Sequence, residues 1–283
     1  MLSPEQEKFI LENAYVPEHI PHLMVGISGG EPFWTENYVL YSGASWLIFV
    51  GYPIGRHYQA ANFIATLDDT IRKFKPAYTW FIVPEMPESF LRAARQRESD
   101  EYFRLDLQTL TVKRNLGQVV QKASTVLKVE KNRQFSKDHV TLTKEFLKRE
   151  KTTRRVRELF LHMPQYIARS PTSLVLSARD KNGNLSAFYV MELAAGKFAT
   201  YVVGCFSKTH YVPHASDLLF SEMINLAREN RKEYIHLGLG VNQGIRRLKR
   251  KWGGTPFLRY EFCELSAGPE EPLPWLRYLE AKL

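Results

Sequence analysis

The chain has 283 residues, with 39 Lys or Arg against 30 Asp or Glu, so its net charge is +9 at neutral pH. Hydrophobic residues make up 44% of the chain and aromatic residues 13%, which excludes an intrinsically disordered protein. The sequence has no run of roughly 18 apolar residues, so a membrane span is not predicted. Its first residues are polar, so a signal peptide is not predicted either. The positive charge favours an anionic partner, such as a nucleic acid, a phosphorylated cosubstrate or an acidic membrane surface.

The N-terminal half predicts strands, one helix and then a strongly basic segment. Strands are expected over 37–41, 45–51 and 78–83, with a helix over 57–74 between the second and third. A basic helical stretch is expected from His139 to Leu161.

The C-terminal half predicts an antiparallel meander that leads into a strand, a crossover helix and a parallel strand. An Asn-Gly pair within 180–184 is typical of a tight hairpin. A proline near the first helical turn, with Ser216 or Asp217 as a cap, favours a helix start close to residue 212. The expected elements are strands over 172–179, 185–193 and 198–206, a helix ending at Asn230, strands over 234–239 and 257–265, and a short terminal helix containing Trp275.

A strand, a glycine-rich turn and a short basic helix follow one another over residues 234–254. The glycine pair Gly253 and Gly254 is expected to end the helix, because glycine adopts the left-handed conformation without a steric penalty. Lys249 lies at the edge of the apolar stripe, where a lysine buries its stem and presents its ammonium to a neighbouring cleft. A helical wheel places Ile245, Leu248 and Trp252 on the buried face and Arg246, Arg247 and Arg250 on the solvent face.

Two dipeptides recur at a constant spacing in the two halves of the chain. Val50-Gly51 and His57-Tyr58 reappear as Val203-Gly204 and His210-Tyr211. Together with the repeated order of strand, helix and strand, they predict two copies of one domain over 1–125 and 126–283. The first copy lacks a basic, glycine-bounded helix after Val83 and is expected to be non-catalytic.

The two cysteines, Cys205 and Cys263, lie in apolar, strand-like stretches and have no metal-ligand spacing. We expect buried thiols in a reducing, cytoplasmic setting. His210 and His214 are four residues apart, but no carboxylate or cysteine cluster accompanies them, so a zinc site is not predicted.

Residues 211–219, 237–240 and 244–254 resemble segments of the GNAT acyltransferase superfamily. The resemblance is to its double-domain branch, which includes Fem-type peptidyl transferases and lipid aminoacyltransferases; Lys122-Ala123 is similar to a step in that branch's interdomain helix. The resemblance implies an α/β fold with mixed sheets and tandem GNAT-like domains. It also implies an acyltransferase that uses acyl-CoA or aminoacyl-tRNA as cosubstrate, without a metal, and an amine or hydroxyl acceptor.

The resemblance places the phosphates of the donor at the start of the crossover helix, where the helix dipole favours anions. No glycine lies between Lys208 and Asp217, and Pro213 removes one amide donor, so the segment departs from the usual phosphate loop. The donor-binding residues that the resemblance implies are Lys208, Tyr211, Val212, His214, Ala215 and Ser216.

Acyl transfer needs a group that stabilises the oxyanion and a base that accepts a proton. The helix position and the resemblance favour Lys249 for the oxyanion, and Asn242 is placed to orient the donor or acceptor. His210, His214 and Glu192 are candidate bases, although Glu192 is expected on the solvent face of its strand. A catalytically degenerate protein that binds nucleic acid or another polyanion is the alternative.

Overall fold

The computed structural model describes residues 1–92, 94–150 and 152–266; the helix predicted around Trp275 lies outside them. The chain forms two compact units. Of the described residues, the first contains 1–3, 30–92, 94–100 and 259–266, and the second contains 4–29, 101–150 and 152–258.

The described residues form helices, strands and two short 3₁₀ turns, over Pro17–His19 and Glu88–Phe90. The helices are α1 (Pro4–Asn13), α2 (Pro21–Ser28), α3 (Ala60–Phe74), α4 (Arg114–Ser124), α5 (Lys137–Arg149), α6 (Arg154–Arg169), α7 (Ala215–Glu229) and α8 (Gln243–Lys251). The strands are β1 (Glu31–Thr35), β2 (Tyr38–Ser42), β3 (Trp46–Val50), β4 (Tyr78–Val83), β5 (Gln96–Asp106), β6 (Leu127–Asn132), β7 (Ser173–Asp180), β8 (Leu185–Glu192), β9 (Phe198–Phe206), β10 (Tyr234–Leu239) and β11 (Thr255–Ser266).

In the first unit, an antiparallel meander leads into a parallel pair. Strands β1, β2 and β3 are antiparallel neighbours, and β3 is parallel to β4 with α3 as the crossover. Residues 261–266 of β11 then pair antiparallel with β4. Phe63 of α3 packs at the centre of the core against Phe49, Phe81 and Phe90.

The second unit repeats this order with one additional strand. Strands β6, β7, β8 and β9 are antiparallel neighbours, and β9 is parallel to β10 with α7 as the crossover. Strand β5 pairs antiparallel with the other edge of β10. One face of this sheet packs against α7, with the core residues Leu219 and Met223, and the other face packs against α2, α5 and α6.

The shared pairing order confirms that both units repeat an antiparallel meander followed by a parallel strand-helix-strand unit, as predicted. The recurring Val-Gly pair has a packing reason in both places. A Cβ atom on Gly51 would lie 2.5 Å from Val83 Cγ1, and one on Gly204 would lie 2.3 Å from Tyr189 Cδ1, so neither position has room for a side chain. The unit built around α7 uses β5, which precedes residue 125, and the unit built around α3 uses β11, which follows it. The boundary between the copies at residue 125 therefore stays a prediction.

The structure corrects several of the helices and strands that were expected from the sequence. The basic stretch predicted from His139 to Leu161 is two helices, α5 and α6. Helices α1, α2 and α4 and strands β1, β5 and β6 are additional elements. Both cysteines are buried free thiols. Within the described ranges, no helix combines the length and the apolar character that crossing a membrane requires.

Candidate functional site

Strands β9 and β10 pair over only three rungs and then separate. Registered pairs join Phe198 to Tyr234, Ala199 to Ile235 and Thr200 to His236, whereas β9 continues to Phe206. On its other edge, β10 has a register shift between His236 and Gly238, and Gly238 has φ of 71°. The two parallel strands therefore form a fork that opens beyond the Thr200–His236 rung.

The segment from β9 to α7 lies exposed at one side of this fork. Tyr211 is 58% exposed, and the Lys208 ammonium lies 5.4 Å from the Phe206 ring centroid and 6.0 Å from that of Tyr211. The carboxylate of Glu145 fixes the start of the segment by accepting the Lys208 N–H at 2.6 Å. Of the predicted donor-binding residues, Lys208, Tyr211 and His214 are exposed, Val212 and Ser216 are half-buried, and Ala215 is buried.

Helix α7 begins differently from the sequence expectation. Its N-cap is His214, which has φ of 66° and makes no side-chain cap hydrogen bond, so the prediction of Ser216 or Asp217 as the cap is wrong. The left-handed residue lies two positions before Ser216 and three before Asp217, so both residues lie inside the first turn. The first-turn amides of a helix have no carbonyl partner within it, which leaves this end suited to an anion.

The carboxylate of Asp217 joins the start of α7 to the end of α8. It accepts hydrogen bonds from Lys251 Nζ at 2.7 Å, Trp252 Nε1 at 3.1 Å and His214 Nδ1 at 3.1 Å. Burial alone would raise the pKa of Asp217, but the bonds from Lys251 and His214 lower the pKa below its ordinary value. The indole of Trp252 also stacks on Phe220 of α7, with ring centroids 5.0 Å apart.

Because Asp217 accepts from three donors, we expect Asp217→Asn to lower the free energy of unfolding by about 1–3 kcal/mol. Lys251→Met should cost less, since the Lys251 side chain is 41% exposed and its partner keeps two other donors. Urea denaturation of both variants measures the difference. Equal losses would show that the Lys251 contact, and not the shared carboxylate, holds the two helices together.

The turn between β10 and α8 holds backbone strain. Val241 has φ of 54°, which is rare for a β-branched side chain, and such outliers cluster at functional sites. Asn242 caps α8, because its Oδ1 accepts the Ile245 N–H at 2.9 Å. That oxygen is thereby engaged in the helix start. The role of Asn242 toward a substrate stays a prediction.

Lys249 is the buried residue of α8, with 3% of its surface exposed. Its Nζ donates to the Leu239 carbonyl oxygen at 2.5 Å and lies 5.4 Å from the centroid of the Phe103 ring. Both contacts favour an ammonium, which lies at the end of β10 beside Phe103 of β5. Trp252 is buried as expected, while Ile245 and Leu248 are half-buried.

The three arginines of α8 are not equivalent. Arg247 and Arg250 are exposed, as the wheel predicts, and Arg246 is half-buried. Helix α8 ends as predicted, with Gly253 at φ of 92° and the Gly254 N–H bound to the Lys249 carbonyl oxygen.

Glu192 is fully buried, which contradicts its expected place on a solvent face. Helices α2 and α6 cover this end of β8, and polar groups surround the carboxylate. Burial would raise the pKa of Glu192, but bonds from His22 and its other donors outweigh burial and lower the pKa to about 2. The carboxylate accepts from the side chains of His22, Tyr166, Ser170 and Thr172 and from the amides of Leu193 and Ala194.

Of the other candidate bases, His210 is exposed and its backbone amide donates to Ser207 Oγ, and His214 is held by Asp217. Across the described ranges, no three or more His, Cys, Asp or Glu side chains gather as metal ligands would.

Sequence reasoning did not single out a buried polar cluster behind the fork. It contains His19 in the 3₁₀ turn, Tyr102 on β5 and His236 on β10, and the Tyr102 and His236 ring centroids are 4.8 Å apart. Glu18 joins it as a neighbour of the Tyr102 side chain. The only signal was a polar Glu-His pair in a short segment bounded by Pro17 and Pro21, and neither periodicity nor spacing connects it to β5 or β10.

No protein family profile matches this sequence, and no curated protein matches it. In structure, the chain is similar to the C-terminal domain of a putative lysylphosphatidylglycerol synthetase from Agrobacterium fabrum, with a TM-score of 0.61, 16% identity and coverage of 92% of this chain and 90% of that one. It is similar to FemX, with a TM-score of 0.60, 10% identity and coverage of 92% and 96%. It is also similar to a tandem GNAT protein from the clavulanic acid biosynthesis pathway, with a TM-score of 0.54, 13% identity and coverage of 93% and 94%.

At these identities the likeness is one of fold. It confirms the resemblance to the double-domain GNAT-like branch that includes Fem-type and lipid aminoacyltransferases. The chain therefore has a tandem GNAT-like fold, and its chemistry has to be argued from its own residues.

Proposed function

We propose that the protein transfers an acyl or aminoacyl group from an anionic, activated donor to an amine or hydroxyl acceptor. The fork between β9 and β10 carries this proposal, because an anion-favouring helix start follows β9 and a buried lysine lies against the end of β10. The donor's phosphates would lie against Lys208 and the first turn of α7. Its carbonyl carbon would reach the rim of the fork, where the Lys249 ammonium faces the oxygen that becomes negative during attack.

Two donors fit this proposal: aminoacyl-tRNA, which is an oxygen ester, and acyl-CoA, which is a thioester. The name of one similar protein refers to lysylphosphatidylglycerol, an aminoacyl ester, and that of another refers to AcCoA. The absence of glycine between Lys208 and Asp217 gives fewer close backbone contacts to a pyrophosphate than a glycine-rich loop gives. We therefore place aminoacyl-tRNA first and acyl-CoA second.

A transfer assay with both carriers tests the proposal. Radiolabelled aminoacyl-tRNA and acetyl-CoA would each be incubated with the protein and an amine acceptor, a hydroxyl acceptor or anionic lipid vesicles. In a separate experiment, thermal unfolding of the protein would be measured with each carrier. We expect one carrier to raise the melting temperature and to lose its label to an acceptor. A stabilising carrier whose label is never transferred would favour the alternative, a degenerate fold that binds polyanions.

We expect Lys208→Met to weaken binding of the donor and to reduce the dependence of tRNA affinity on salt by about one ion. The reason is the exposed Lys208 ammonium beside the first turn of α7. Titrations at several salt concentrations measure the slope, with Lys181→Met, an exposed lysine on the β7–β8 turn, as the control. Equal changes in both variants would assign the effect to net charge alone.

A further inference from the structure

The two faces of the sheet in the second unit differ in chemistry at the fork. On β10, Ile235 and Leu237 pack into the apolar core beneath α7. The intervening His236 points to the opposite face, since successive side chains of a strand alternate. There its ring lies 4.8 Å from Tyr102 and 5.7 Å from Phe198, centroid to centroid.

Two buried polar atoms at the last rung before the fork have no hydrogen-bond partner among the described residues. They are Nε2 of His236 and Oγ1 of Thr200, which lie opposite each other in the parallel register. The other ring nitrogen of His236, Nδ1, accepts the Gly238 N–H at 3.2 Å, so Nε2 carries the proton of a neutral ring. Unpaired buried polar atoms cost free energy, and their position suits the binding of a polar substrate group.

Glu18 brings a carboxyl group to the same cluster. The residue is half-buried, but its Oε2 is buried, and the Tyr102 side chain is its neighbour. Tyr102 lies opposite Leu239 in the β5–β10 register, and the Leu239 carbonyl oxygen is the one that holds Lys249 Nζ. Glu18 therefore neighbours the residue of β5 that pairs with the C-terminal end of β10.

Each neighbouring element supplies one titratable group to this cluster: Tyr102 comes from β5, His236 from β10, Lys249 from α8, and His19 from the 3₁₀ turn itself. Burial, assisted by Lys249 and His19, keeps the pKa of His236 well below its ordinary value, so His236 stays neutral. Burial raises the pKa of Glu18 to about 7, although bonds from its own amide and from Tyr102 oppose the rise. A group with a pKa near the working pH is well suited to accept and return a proton.

We propose that Glu18 accepts the proton that the acceptor's amine or hydroxyl loses when it attacks the donor carbonyl at the fork. This inference rests on the proposed function. The donor would approach from the α7 face and the acceptor from the Glu18 face.

The step balances without an external co-reactant. The lone pair of the acceptor forms a bond to the carbonyl carbon, and the carbonyl electrons move to the oxygen that faces Lys249. The proton passes to the Glu18 carboxylate, directly or through the Tyr102 hydroxyl. The intermediate then collapses, the bond to the donor oxygen or sulfur breaks, and Glu18 returns the proton to that leaving group.

The test measures transfer against pH for the wild type, Glu18→Gln and Glu18→Asp. The wild-type kcat/KM should rise with pH and level off above about 7, as Glu18 loses its proton. Glu18→Gln should lose roughly 10²- to 10⁴-fold in rate and lose this rise, and Glu18→Asp should restore part of both. Glu12→Gln is the matched control, because Glu12 is an exposed glutamate on α1 whose side chain lies near Lys8.

A second measurement does not depend on activity. Carbon-13 NMR of the labelled glutamate carboxyl groups should show one signal that titrates near pH 7, that is missing in Glu18→Gln, and that shifts in Tyr102→Phe. Titration of Glu18 near its ordinary pKa would overturn the inference. Unchanged rates and pH profile in Glu18→Gln, with an active wild type, would overturn it and leave the proposed function intact. A wild type that transfers from neither carrier would overturn both.

Discussion

Lys249→Met is expected to reduce the turnover of acyl transfer about 10²- to 10³-fold, the usual cost of removing one oxyanion donor. The reason is the position of the ammonium, which is buried at the end of β10 and held by the Leu239 carbonyl. The loss should appear mainly in kcat, because the negative charge on the carbonyl oxygen develops only during attack. Methionine has a similar length and no charge, so the buried position should tolerate it.

Arg247→Met is the matched control for this prediction. Arg247 is an exposed residue of the same helix, and its replacement removes one positive charge, as Lys249→Met does. Arg246 is a poorer control, because it is partly buried. Arg247→Met should weaken tRNA binding, because it removes an exposed charge, whereas Lys249→Met alone should slow transfer. Equal and small effects on turnover would leave Lys249 as a structural contact between α8 and β10.

The sequence predicted the elements around the fork more accurately than the site inside it. The limits of β9 and β10 are as predicted, because both strands are continuous apolar runs bounded by turns. The burial of Lys249 follows from α8 packing beside Phe103 on β5, a strand that sequence reasoning did not identify. Its first residues, Gln-Arg-Glu-Ser-Asp-Glu over 96–101, are polar and typical of a loop, and only the following residues 102–106 pair with β10.

The polar residues of the second unit show the same limit. Glu192 and Glu18 are single carboxylates in segments whose local patterns predict exposure, and only tertiary neighbours reveal their burial. Around Glu192 the neighbours supply donors and lower its pKa, whereas at Glu18 burial dominates and raises its pKa. Periodicity records the average polarity of a face, whereas the state of a carboxyl group depends on the few donors around it.

Glu192→Gln is expected to destabilise the protein by about 3 kcal/mol at neutral pH, because it removes a buried charge that six donors surround. The pKa of Glu192 is about 2 in the folded state against an ordinary value of 4.5. A lowered pKa contributes stability that is complete above about 4.5 and is lost as the pH falls toward 2. The wild type should therefore lose stability over this range, and the stability of Glu192→Gln should fall less steeply.

Urea denaturation at pH values between 7 and 3 measures both curves. Glu229→Gln, an exposed glutamate at the end of α7, should leave stability within about 0.5 kcal/mol at every pH. Parallel curves for the wild type and Glu192→Gln would show that the stability lost toward low pH does not come from protonation of Glu192.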